Sequence, residues 1–470
     1  MSALVQIGAS SAPHRVATQV RSLRAGEKFM LALVGLGCAG LLFAALAPGS
    51  WAAKGAMGVF WFALIVLGGS WYFWMAYGRS HPGIKNDGIF HSATTHRGAL
   101  AWIIGVALTA FYVALYWHGD SLSPVYSLLD PLALALTGAS ADEWFLYGAL
   151  YTAAVGVFGV RMAMKYRHSR YQLIRTGSVF FFQLGFAFLL PGMLKKINQP
   201  DFYFTYFWPL KPDYLLPFDY VMGESGILAA QYSGTSVGRF MILWAALMLL
   251  VATPLLTWFF GKRWYCSWVC GCGGLAETMG DPFRQLSDKS EKAWKIERWS
   301  IHLVLVSIVA ITALLWFNEW SGRALLGDDG SGLFWKSYGL VIVMAFSGVL
   351  GVGFYPLLGS RFWCRFGCPM AAILGFLQRF FSRFRITTNG GQCISCGNCS
   401  TYCEMGIDVR SYAQRGENIV RSSCVGCGVC AEVCPRGVLR LENGPVANRF
   451  DGADKPLHEA MRALGLAARD

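Results

Sequence analysis

The sequence predicts an all-α polytopic membrane bundle, followed at its C-terminal end by a small α+β domain that is held together by cysteines. Three observations carry this prediction. Of the 470 residues, 55% are hydrophobic and only 14% are charged, with a mean hydropathy of +0.42. The apolar residues form eight stretches of membrane-spanning length, and eight of the 14 cysteines fall between residues 393 and 434. A soluble enzyme of this length does not need so apolar a composition.

Each of the eight apolar stretches is long enough to cross the hydrocarbon core of a bilayer as a helix. We expect their ends to be correct to within about four residues. The polar stretch before the first span is long, which predicts an uncleaved anchor rather than a signal peptide. The predicted spans cover residues 29–47, 56–76, 98–117, 144–164, 176–194, 239–260, 299–317 and 337–358.

Basic residues are concentrated in alternate connections between the spans. The segment before the first span carries Arg15, Arg21, Arg24 and Lys28, whereas residues 118–143 contain no Lys or Arg. Because basic connections stay on the cytoplasmic side, we expect a multi-pass protein of the bacterial inner membrane, with both termini and the cysteine-rich domain in the cytoplasm. This bias also accounts for the net charge of +13, so no nucleic-acid partner is expected.

Two cysteine runs indicate the chemistry of the C-terminal domain. In each run, three cysteines two residues apart are followed by a fourth after three more residues. This spacing holds the two clusters of bacterial ferredoxins, in which the fourth cysteine ligates the other cluster. We therefore predict a bacterial-type 2[4Fe-4S] ferredoxin domain. One [4Fe-4S] cluster is assigned to Cys393, Cys396, Cys399 and Cys434, and the second to Cys424, Cys427, Cys430 and Cys403.

Zinc and disulfide bonds are the alternatives for these cysteines. Zinc sites favour two pairs of ligands rather than two evenly spaced quartets. Disulfide bonds need an oxidising compartment, and a cytoplasmic domain does not provide one. Both alternatives are therefore disfavoured. One departure from the ferredoxin pattern is present: Pro435 follows the second run, but Glu404 stands where the first run would often have proline.

A second cysteine pattern occurs twice, after the sixth and the eighth predicted spans. Residues 261–270 and 359–368 share the order Gly-x-Arg-aromatic-aromatic-Cys-x-x-x-Cys, which is an internal repeat. A parallel repeat predicts two halves related by an axis along the membrane normal, with the cysteines close together at the cytoplasmic membrane face. The four cysteines are Cys266, Cys270, Cys364 and Cys368.

Residues four apart share one helix face, so the two pairs of cysteines could hold an additional iron–sulfur cluster or form a redox-active thiol set. The alternative is that they pack a tight helix junction or contact the ferredoxin domain. We favour the metal or redox role, because reactivity more often than packing explains paired cysteines. Cys272 could substitute as a ligand, whereas Cys38, alone in the first span, is expected to be a small buried side chain.

Residues from about 240 to 440 resemble the NapH/NosR-type family of membrane polyferredoxins, which includes the CcoG-like proteins. The resemblance rests on Cys364-x-x-x-Cys368-Pro369, on the first cysteine pair without its proline, and on the ferredoxin cysteines. It implies electron transfer that links the quinone pool to protein redox partners, with quinone or quinol and membrane lipid as further partners. CcoG-like relatives imply instead a redox-active assembly or sensing factor that handles metal during oxidase maturation.

An aromatic loop, a short flavin-like motif and three histidines are further candidate cofactor sites. The aromatic loop 195–238 would suit a quinone headgroup, but an interfacial aromatic belt is commoner and is favoured. Residues 233–236 faintly resemble a covalent flavin-attachment motif and lack one of its residues. His96, His168 and His302 lie near one predicted face, but no span holds the paired histidines usual for haem. We therefore expect neither haem nor flavin.

These features divide the chain into five segments. Helical spacing of Leu457, Met461 and Leu464 predicts a short amphipathic helix in the last of them. No Rossmann fingerprint, P-loop or nucleophile elbow occurs, so nicotinamide chemistry is not predicted. The segments are a cytoplasmic N-terminal segment at 1–28, a five-helix membrane region at 29–237, a repeated helix and cysteine region at 238–385, the ferredoxin domain at 386–442 and a tail at 443–470.

Overall fold

The computed structural model describes residues 23–46, 51–78, 97–199, 202–211, 236–322, 325–326, 333 and 336–443. Within these residues, eight helices are long and apolar enough to cross a membrane, and a region with a small sheet follows them. The predicted helical bundle and C-terminal α+β region are therefore confirmed. The predicted tail helix, the flavin-like residues 233–235 and His96 lie outside the described residues.

The eight spans follow the predicted order along the chain. Their bounds are Ala25–Leu46, Lys54–Gly78, Ala99–Trp117, Glu143–Lys165, Arg170–Lys196, Leu243–Phe260, Glu291–Asn318 and Lys336–Gly353. The helices of the second, sixth and seventh spans extend further, beginning at Trp51 and Ser236 and ending at Trp320 respectively. π-Helical turns occupy Phe182–Leu189, Met248–Ala252 and Gly339–Gly353.

Three of the predicted span ends were wrong by more than four residues. The fifth span begins at Arg170 instead of 176, and the seventh begins at Glu291 instead of 299. The eighth ends at Gly353, and a separate turn at Tyr355–Leu358 covers the rest of its predicted range. An apolar pattern marks only the part of a helix that meets lipid, whereas the helix itself continues into polar sequence.

The spans of the first half pack on one another and on the eighth span. The first span packs along the second, the second packs on the fourth, and the third packs against the eighth. Cys38 is exposed on the first span, so the prediction of a buried side chain was wrong. A peripheral helix buries only the stripe that faces its neighbour, and Cys38 lies outside that stripe.

Short helices connect the spans and shape the C-terminal region. Four of them lie between the third and fourth spans, at Gly119–Leu122, Ser123–Tyr126, Ser127–Leu129 and Asp130–Thr137. The cysteine repeats contribute Arg263–Cys266, Gly271–Glu277, Asp281–Leu286, Phe362–Phe366 and Pro369–Phe381. The C-terminal region contains Gly390–Gln392, Asn398–Thr401, Val409–Arg415 and Val429–Glu432.

A two-stranded antiparallel sheet closes the C-terminal region. Strand β1 (Phe384–Thr388) pairs with strand β2 (Leu439–Asn443), with Phe384 opposite Asn443. The region is fixed to the bundle by hydrogen bonds: Ser267 Oγ donates to the Val425 carbonyl at 2.8 Å, and Tyr171 Oη donates to the Gly426 carbonyl at 2.7 Å. The sheet therefore brings both ends of the cysteine-rich region together and holds it against the helices.

Both repeated cysteine segments fold back into the bundle. An added Cβ at Gly271 would lie 2.9 Å from Oε1 of Gln183, which is the middle residue of the fifth span. An added Cβ at Gly367 would lie 2.5 Å from the ring of Phe346, near the middle of the eighth span. Each segment thus enters the helical bundle beside the C-terminal region, reaches the level of mid-span residues and returns to the same side. We call residues 261–286 and 359–381 the first and second re-entrant segments.

Candidate functional site

Each predicted cysteine quartet surrounds its own cavity in the C-terminal region. One cavity is lined by Cys393, Cys396, Cys399 and Cys434. A second cavity is lined by Cys403, Cys424, Cys427 and Cys430. The fourth cysteine of each run therefore joins the first three of the other run, which is the grouping that the spacing predicts. We call these sets the outer quartet and the inner quartet, respectively.

Glycines in the left-handed region shape both quartets. Gly397 (φ 80°) and Gly428 (φ 78°) immediately precede the short helices that carry Cys399 and Cys430. A residue with a Cβ is strained at such φ values, whereas glycine adopts them freely. An added Cβ at Gly428 would also lie 3.0 Å from the ring of Tyr171. Glycine therefore lets the backbone turn around the sulfur atoms and pack closely on the fifth span.

Backbone amides point at the sulfur atoms of both quartets. The N–H of Ile407 donates to Cys403 Sγ at 3.4 Å, and the N–H of Val438 donates to Cys434 Sγ at 3.3 Å. Such donors stabilise thiolates, which are the form that ligates iron. All 14 cysteines are free, so the disulfide alternative has no support. The two quartets therefore each offer the four thiolate donors that a [4Fe-4S] cluster uses.

The four repeated cysteines converge in the interior of the bundle. None of them is more than 8% exposed, and their thiols are close enough to interact electrostatically. Cys272 joins them through a hydrogen bond with Cys270. We call these five residues the mid-bundle thiols: Cys266, Cys270, Cys272, Cys364 and Cys368.

Two expectations for these cysteines were wrong. The members of each pair do not share one helix face, because the helix ends between them: Cys270 and Cys368 are extended, with ψ values of 126° and 112°, and each begins a new helix. Pro369 disfavours helical backbone at Cys368, and Gly271 allows the corresponding break. The pairs also do not stop at the membrane face, since both segments reach mid-span residues.

Burial and hydrogen bonding give the mid-bundle thiols different acidities. Burial raises the pKa of Cys266 to about 12. The hydrogen bond with Cys272 lowers the pKa of Cys270 to about 7 despite its burial.

The described part of the aromatic loop, residues 202–211, packs inward on the mid-bundle thiols. Phe202 and Phe207 are 2% and 0% exposed, and the Phe207 ring lies 5.5 Å from that of Tyr265. Tyr265 Oη donates to the Thr205 carbonyl at 2.6 Å. An interfacial belt would face lipid, so the belt interpretation was wrong for this part of the loop. Its aromatic side chains instead cover the cysteine segment from within the bundle.

A group of tyrosines that we did not predict lies beside the mid-bundle thiols. Neighbouring ring centroids among Tyr112, Tyr116, Tyr147 and Tyr151 are 5.5–6.1 Å apart. An added Cβ at Gly271, next to Cys272, would lie 2.5 Å from Tyr206 Oη and 3.7 Å from the Tyr151 ring. The sequence of the third and fourth spans shows only tyrosine pairs four residues apart, because the grouping across helices depends on how the helices pack.

A buried ionic cluster separates the mid-bundle thiols from the inner quartet. Its side chains are no more than 4% exposed. Its members come from five separate segments and only Arg361 belongs to a repeated motif, so the sequence did not predict it. We use the term ionic cluster for Arg161, Lys165, Arg175, Arg284, Arg361, Glu277, Asp281 and Glu404.

Glu404, the residue in the place of the expected proline, belongs to this ionic cluster. Its carboxyl group lies 3.2 Å from Arg361 Nε and 3.5 Å from Arg284 Nη1. One of its carboxylate oxygens also lies within 4.8 Å of a carboxylate oxygen of Glu277. Burial and this neighbour raise the pKa of Glu404 to about 7, whereas the arginines hold the pKa of Glu277 well below its usual range.

A cavity of about 700 Å³ lies where the C-terminal region meets the seventh span and the helix Pro369–Phe381, and we call it the interface cavity. Its buried floor includes Lys262, Cys364 and Arg365, and the exposed Phe376 and Phe380 lie at its mouth. The far wall belongs to the C-terminal region. Other lining residues are Arg298, His302, Ala372, Arg379, Met405, Tyr412, Arg421 and Ser423.

The remaining predicted histidines do not form a pair in the described residues. His168 lies 3.5 Å from Glu432 of the C-terminal region and is 37% exposed. His302 is exposed at the interface cavity on the seventh span.

Comparison with known domains matches both cysteine systems to iron–sulfur domains. A 4Fe-4S dicluster domain matches residues 392–439, which contain the outer and inner quartets. A 4Fe-4S binding domain matches residues 242–290 and again residues 339–387, which contain the two repeated pairs. The chain therefore carries ferredoxin-type 4Fe-4S domains, and the ferredoxin part of the predicted fold is confirmed.

Two curated relatives resemble part of the chain. The "Putative electron transport protein YccM" of Escherichia coli (strain K12) is 28% identical over 202 residues, which are 40% of this chain and 54% of that protein. The "Methylamine utilization ferredoxin-type protein MauN" of Methylobacillus flagellatus is 26% identical over 180 residues, which are 37% of this chain and 58% of that protein. The chain thus spans just over half the length of these relatives. No solved structure matches the chain.

Proposed function

We propose that this chain is a membrane-bound iron–sulfur protein that transfers electrons between the quinone pool and protein redox partners. Support comes from the two cysteine quartets, the matched 4Fe-4S domains and a relative that is named as an electron transport protein. The NapH/NosR-type resemblance adds support for a quinone link. The membrane would be the bacterial inner membrane, with the quartets on its cytoplasmic side.

Two [4Fe-4S] clusters are the cofactors that the quartets fit. Cys393, Cys396, Cys399 and Cys434 would hold one, and Cys403, Cys424, Cys427 and Cys430 the other. Clusters bound there supply one-electron redox chemistry, and the surrounding protein sets their potentials. Zinc would also accept four thiolates, but both regions match 4Fe-4S domains.

An additional iron–sulfur site at the mid-bundle thiols is the second part of the proposal. Cys266, Cys270, Cys364 and Cys368 come from the two copies of the matched 4Fe-4S binding domain and converge at one place. Cys272 is a further donor of the same kind, in hydrogen-bond contact with Cys270. A purely structural role for these four buried thiols is disfavoured, because reactivity explains paired cysteines more often than packing does.

The interface cavity is the observation that carries the quinone link. Its volume of about 700 Å³ lies in the range of small-molecule sites, and its mouth opens among lipid-facing rings. Phe376 at the mouth and Ala372 farther in provide apolar surface, and Lys262 and Arg365 provide hydrogen-bond donors. Guanidinium and ammonium groups can donate hydrogen bonds to quinone oxygens. A quinone there would contact Cys364 on one side and the C-terminal region on the other.

The chemistry balances without a further reactant. Oxidation of a hydroquinone to a quinone releases two electrons and two protons. The cavity is lined by Cys364, one of the mid-bundle thiols, and by Ser423, which directly precedes Cys424 of the inner quartet. The electrons would leave to one of these two candidate redox sites. The protons would leave through the mouth, where His302 is exposed and able to accept one. Quinone reduction uses the same groups in reverse.

The test is anaerobic reduction of the purified full-length protein by a short-chain quinol. We expect the spectroscopic signals of reduced [4Fe-4S] clusters to develop. The Ala372→Trp variant fills the interface cavity and should slow the reaction roughly tenfold or more, as a loss of about 1.4 kcal/mol in binding free energy would. Phe381→Trp is the matched control, because Phe381 lies on the same helix as Ala372, does not line the cavity and is 59% exposed.

The outcomes separate the parts of this proposal. Absence of reduction by the quinol, together with absence of oxidation of the chemically reduced protein by the quinone, would reject the quinone link and favour the metal-handling alternative. Equal rates for the wild type and the Ala372→Trp variant would retain the quinone link but reject the interface cavity as its site. Absence of any 4Fe-4S signal after reconstitution would reject electron transfer through clusters altogether.

A further inference from the structure

We infer that Arg284 and Arg361 of the ionic cluster compensate the negative charge of a cluster held by the inner quartet and thereby raise its reduction potential. The inference rests on the proposed function, because it concerns the potential of one of the proposed clusters. It goes further by assigning a redox role to two buried arginines that are not cluster ligands.

The charge balance of the ionic cluster is the first argument. Five basic side chains face three carboxyl groups, which leaves an excess of two positive charges among these residues when all eight are ionised. Burying unbalanced charge is costly unless an opposite charge lies nearby. A thiolate-ligated cluster at the inner quartet would supply that negative charge.

The position of Arg284 is the second argument. Its guanidinium group lies 3.0 Å from Glu277, 3.0 Å from Asp281 and 3.5 Å from Glu404, and the side chain is 0% exposed. Its Nη1 also approaches the Sγ of Cys427 to 3.9 Å. This positive charge therefore adjoins a ligand of the inner quartet, where hydrogen bonds and charge both set the potential of a cluster.

Arg361 links the same charges to the mid-bundle thiols. Its Nη2 lies 2.7 Å from Glu277, and its Nε lies 3.2 Å from Glu404. Its Nη1 donates to the Cys266 carbonyl at 3.1 Å and approaches Cys364 Sγ to 3.7 Å. Arg361 is the arginine of the second repeat. The arginine of the first repeat, Arg263, instead lies over the ring of Phe384, at 4.7 Å, so the two repeats use this residue differently.

A divalent cation site is the competing interpretation of the same place. The carboxylates of Glu277 and Glu404 lie with Cys427 Sγ within 4.8 Å of one another, a spacing that could hold a metal ion. Both carboxylates are already paired with Arg284 and Arg361, however, and two guanidinium groups would repel a divalent cation. The same guanidinium groups would attract a cluster that gains an electron.

The experiment is a redox titration of the reconstituted full-length protein, with the reduced clusters followed by EPR. Arg284→Gln removes a positive charge, so we expect the midpoint potential of the inner-quartet cluster to shift to a more negative value. Glu277→Gln removes a negative charge at the same place and should shift it in the opposite direction. The cluster of the outer quartet serves as an internal reference, assigned by its loss in Cys396→Ser, and should not move.

The control is Arg410→Gln, which removes an exposed arginine beside the outer quartet and should shift neither potential appreciably, because solvent screens its charge. Arg284→Lys keeps the charge and should restore a potential near that of the wild type, even if Arg284→Gln binds its cluster poorly. Shifts of the same sign in Arg284→Gln and Glu277→Gln, or unchanged potentials in both, would overturn the inference. A wild type without cluster signals would instead reject the proposed function.

Discussion

Glu404 shows how one residue outside the ligand set determines the surroundings of a cysteine quartet. A proline at this position could not pair with Arg284 and Arg361, which are both fully buried. The two buried guanidinium groups would then share only Glu277 and Asp281 as carboxylate partners, and the loss of a buried ion-pair partner is strongly destabilising. The carboxyl group therefore explains why this chain departs from the common pattern directly after Cys403.

At the same scale, we predict that the mid-bundle thiols hold iron that is independent of the two quartets. Two [4Fe-4S] clusters account for about eight iron atoms per chain. Iron beyond this amount should be present in the wild type and should be lost in Cys364→Ala, with the EPR signals of the quartets intact. Cys38→Ala is the control, because this cysteine is exposed on a peripheral helix. About eight iron atoms in both the wild type and Cys364→Ala would contradict the prediction.

The cysteines could be predicted from the sequence because ligand spacing is a local property. Four thiols on short turns can reach one cluster only at certain separations, so the grouping of Cys403 with Cys424 follows from the spacing. Arg284, Glu277 and Tyr206 could not be predicted in the same way. Their roles depend on which segments pack together, and no motif records that packing.

At the scale of elements, the membrane helices were predictable and the re-entrant segments were not. Hydropathy identifies a span because about 20 apolar residues must cover the hydrocarbon core. The segments around Cys266 and Cys364 are short, and they enter the bundle where protein rather than lipid surrounds them. Such irregular backbone at membrane depth is tolerated only inside protein, so hydropathy does not reveal it.

Asp281 is the residue that joins the first re-entrant segment to the fourth span. Its carboxylate lies 2.7 Å from Lys165 Nζ and 3.0 Å from Arg284 Nε, and it also pairs with Arg161. Asp281→Asn leaves three buried cations without this partner. We expect the free energy of unfolding to fall by about 3–5 kcal/mol, as for other broken buried ion pairs.

Thermal unfolding of the detergent-solubilised protein measures this effect. Glu291→Gln is the control, because it breaks only the exposed pair with Lys295 and should leave the unfolding temperature unchanged. The ion pairs hold the pKa of Asp281 well below its usual range, so their contribution is complete at neutral pH and declines only as the pH falls toward that lowered pKa. An unfolding temperature for Asp281→Asn equal to that of the control would show that the ionic cluster does not fasten the segment.

At the scale of the whole molecule, the candidate redox groups follow one another along the bundle. The mid-bundle thiols contact Arg361, Arg361 contacts Glu404, and Glu404 directly follows Cys403 of the inner quartet. The interface cavity touches Cys364 and the C-terminal region at once. The quartets, the ionic cluster and the cavity therefore lie at one face of the bundle, the ionic cluster being buried just beneath it. The side of the membrane on which this face lies determines the compartment from which redox partners can reach the quartets.

The distribution of basic residues predicts that this face is cytoplasmic. Lys289 precedes the seventh span, and Lys292, Lys295 and Arg298 lie in its first turns, whereas residues 118–142 carry no Lys or Arg. Because basic connections are retained in the cytoplasm, alkaline phosphatase fused after residue 130 should be active and the same fusion after residue 289 should be inactive. A green fluorescent protein fused to the C-terminus should fluoresce, as it does only in the cytoplasm. The reverse pattern would place both quartets outside the cytoplasm and would remove the compartment in which their thiols are kept reduced.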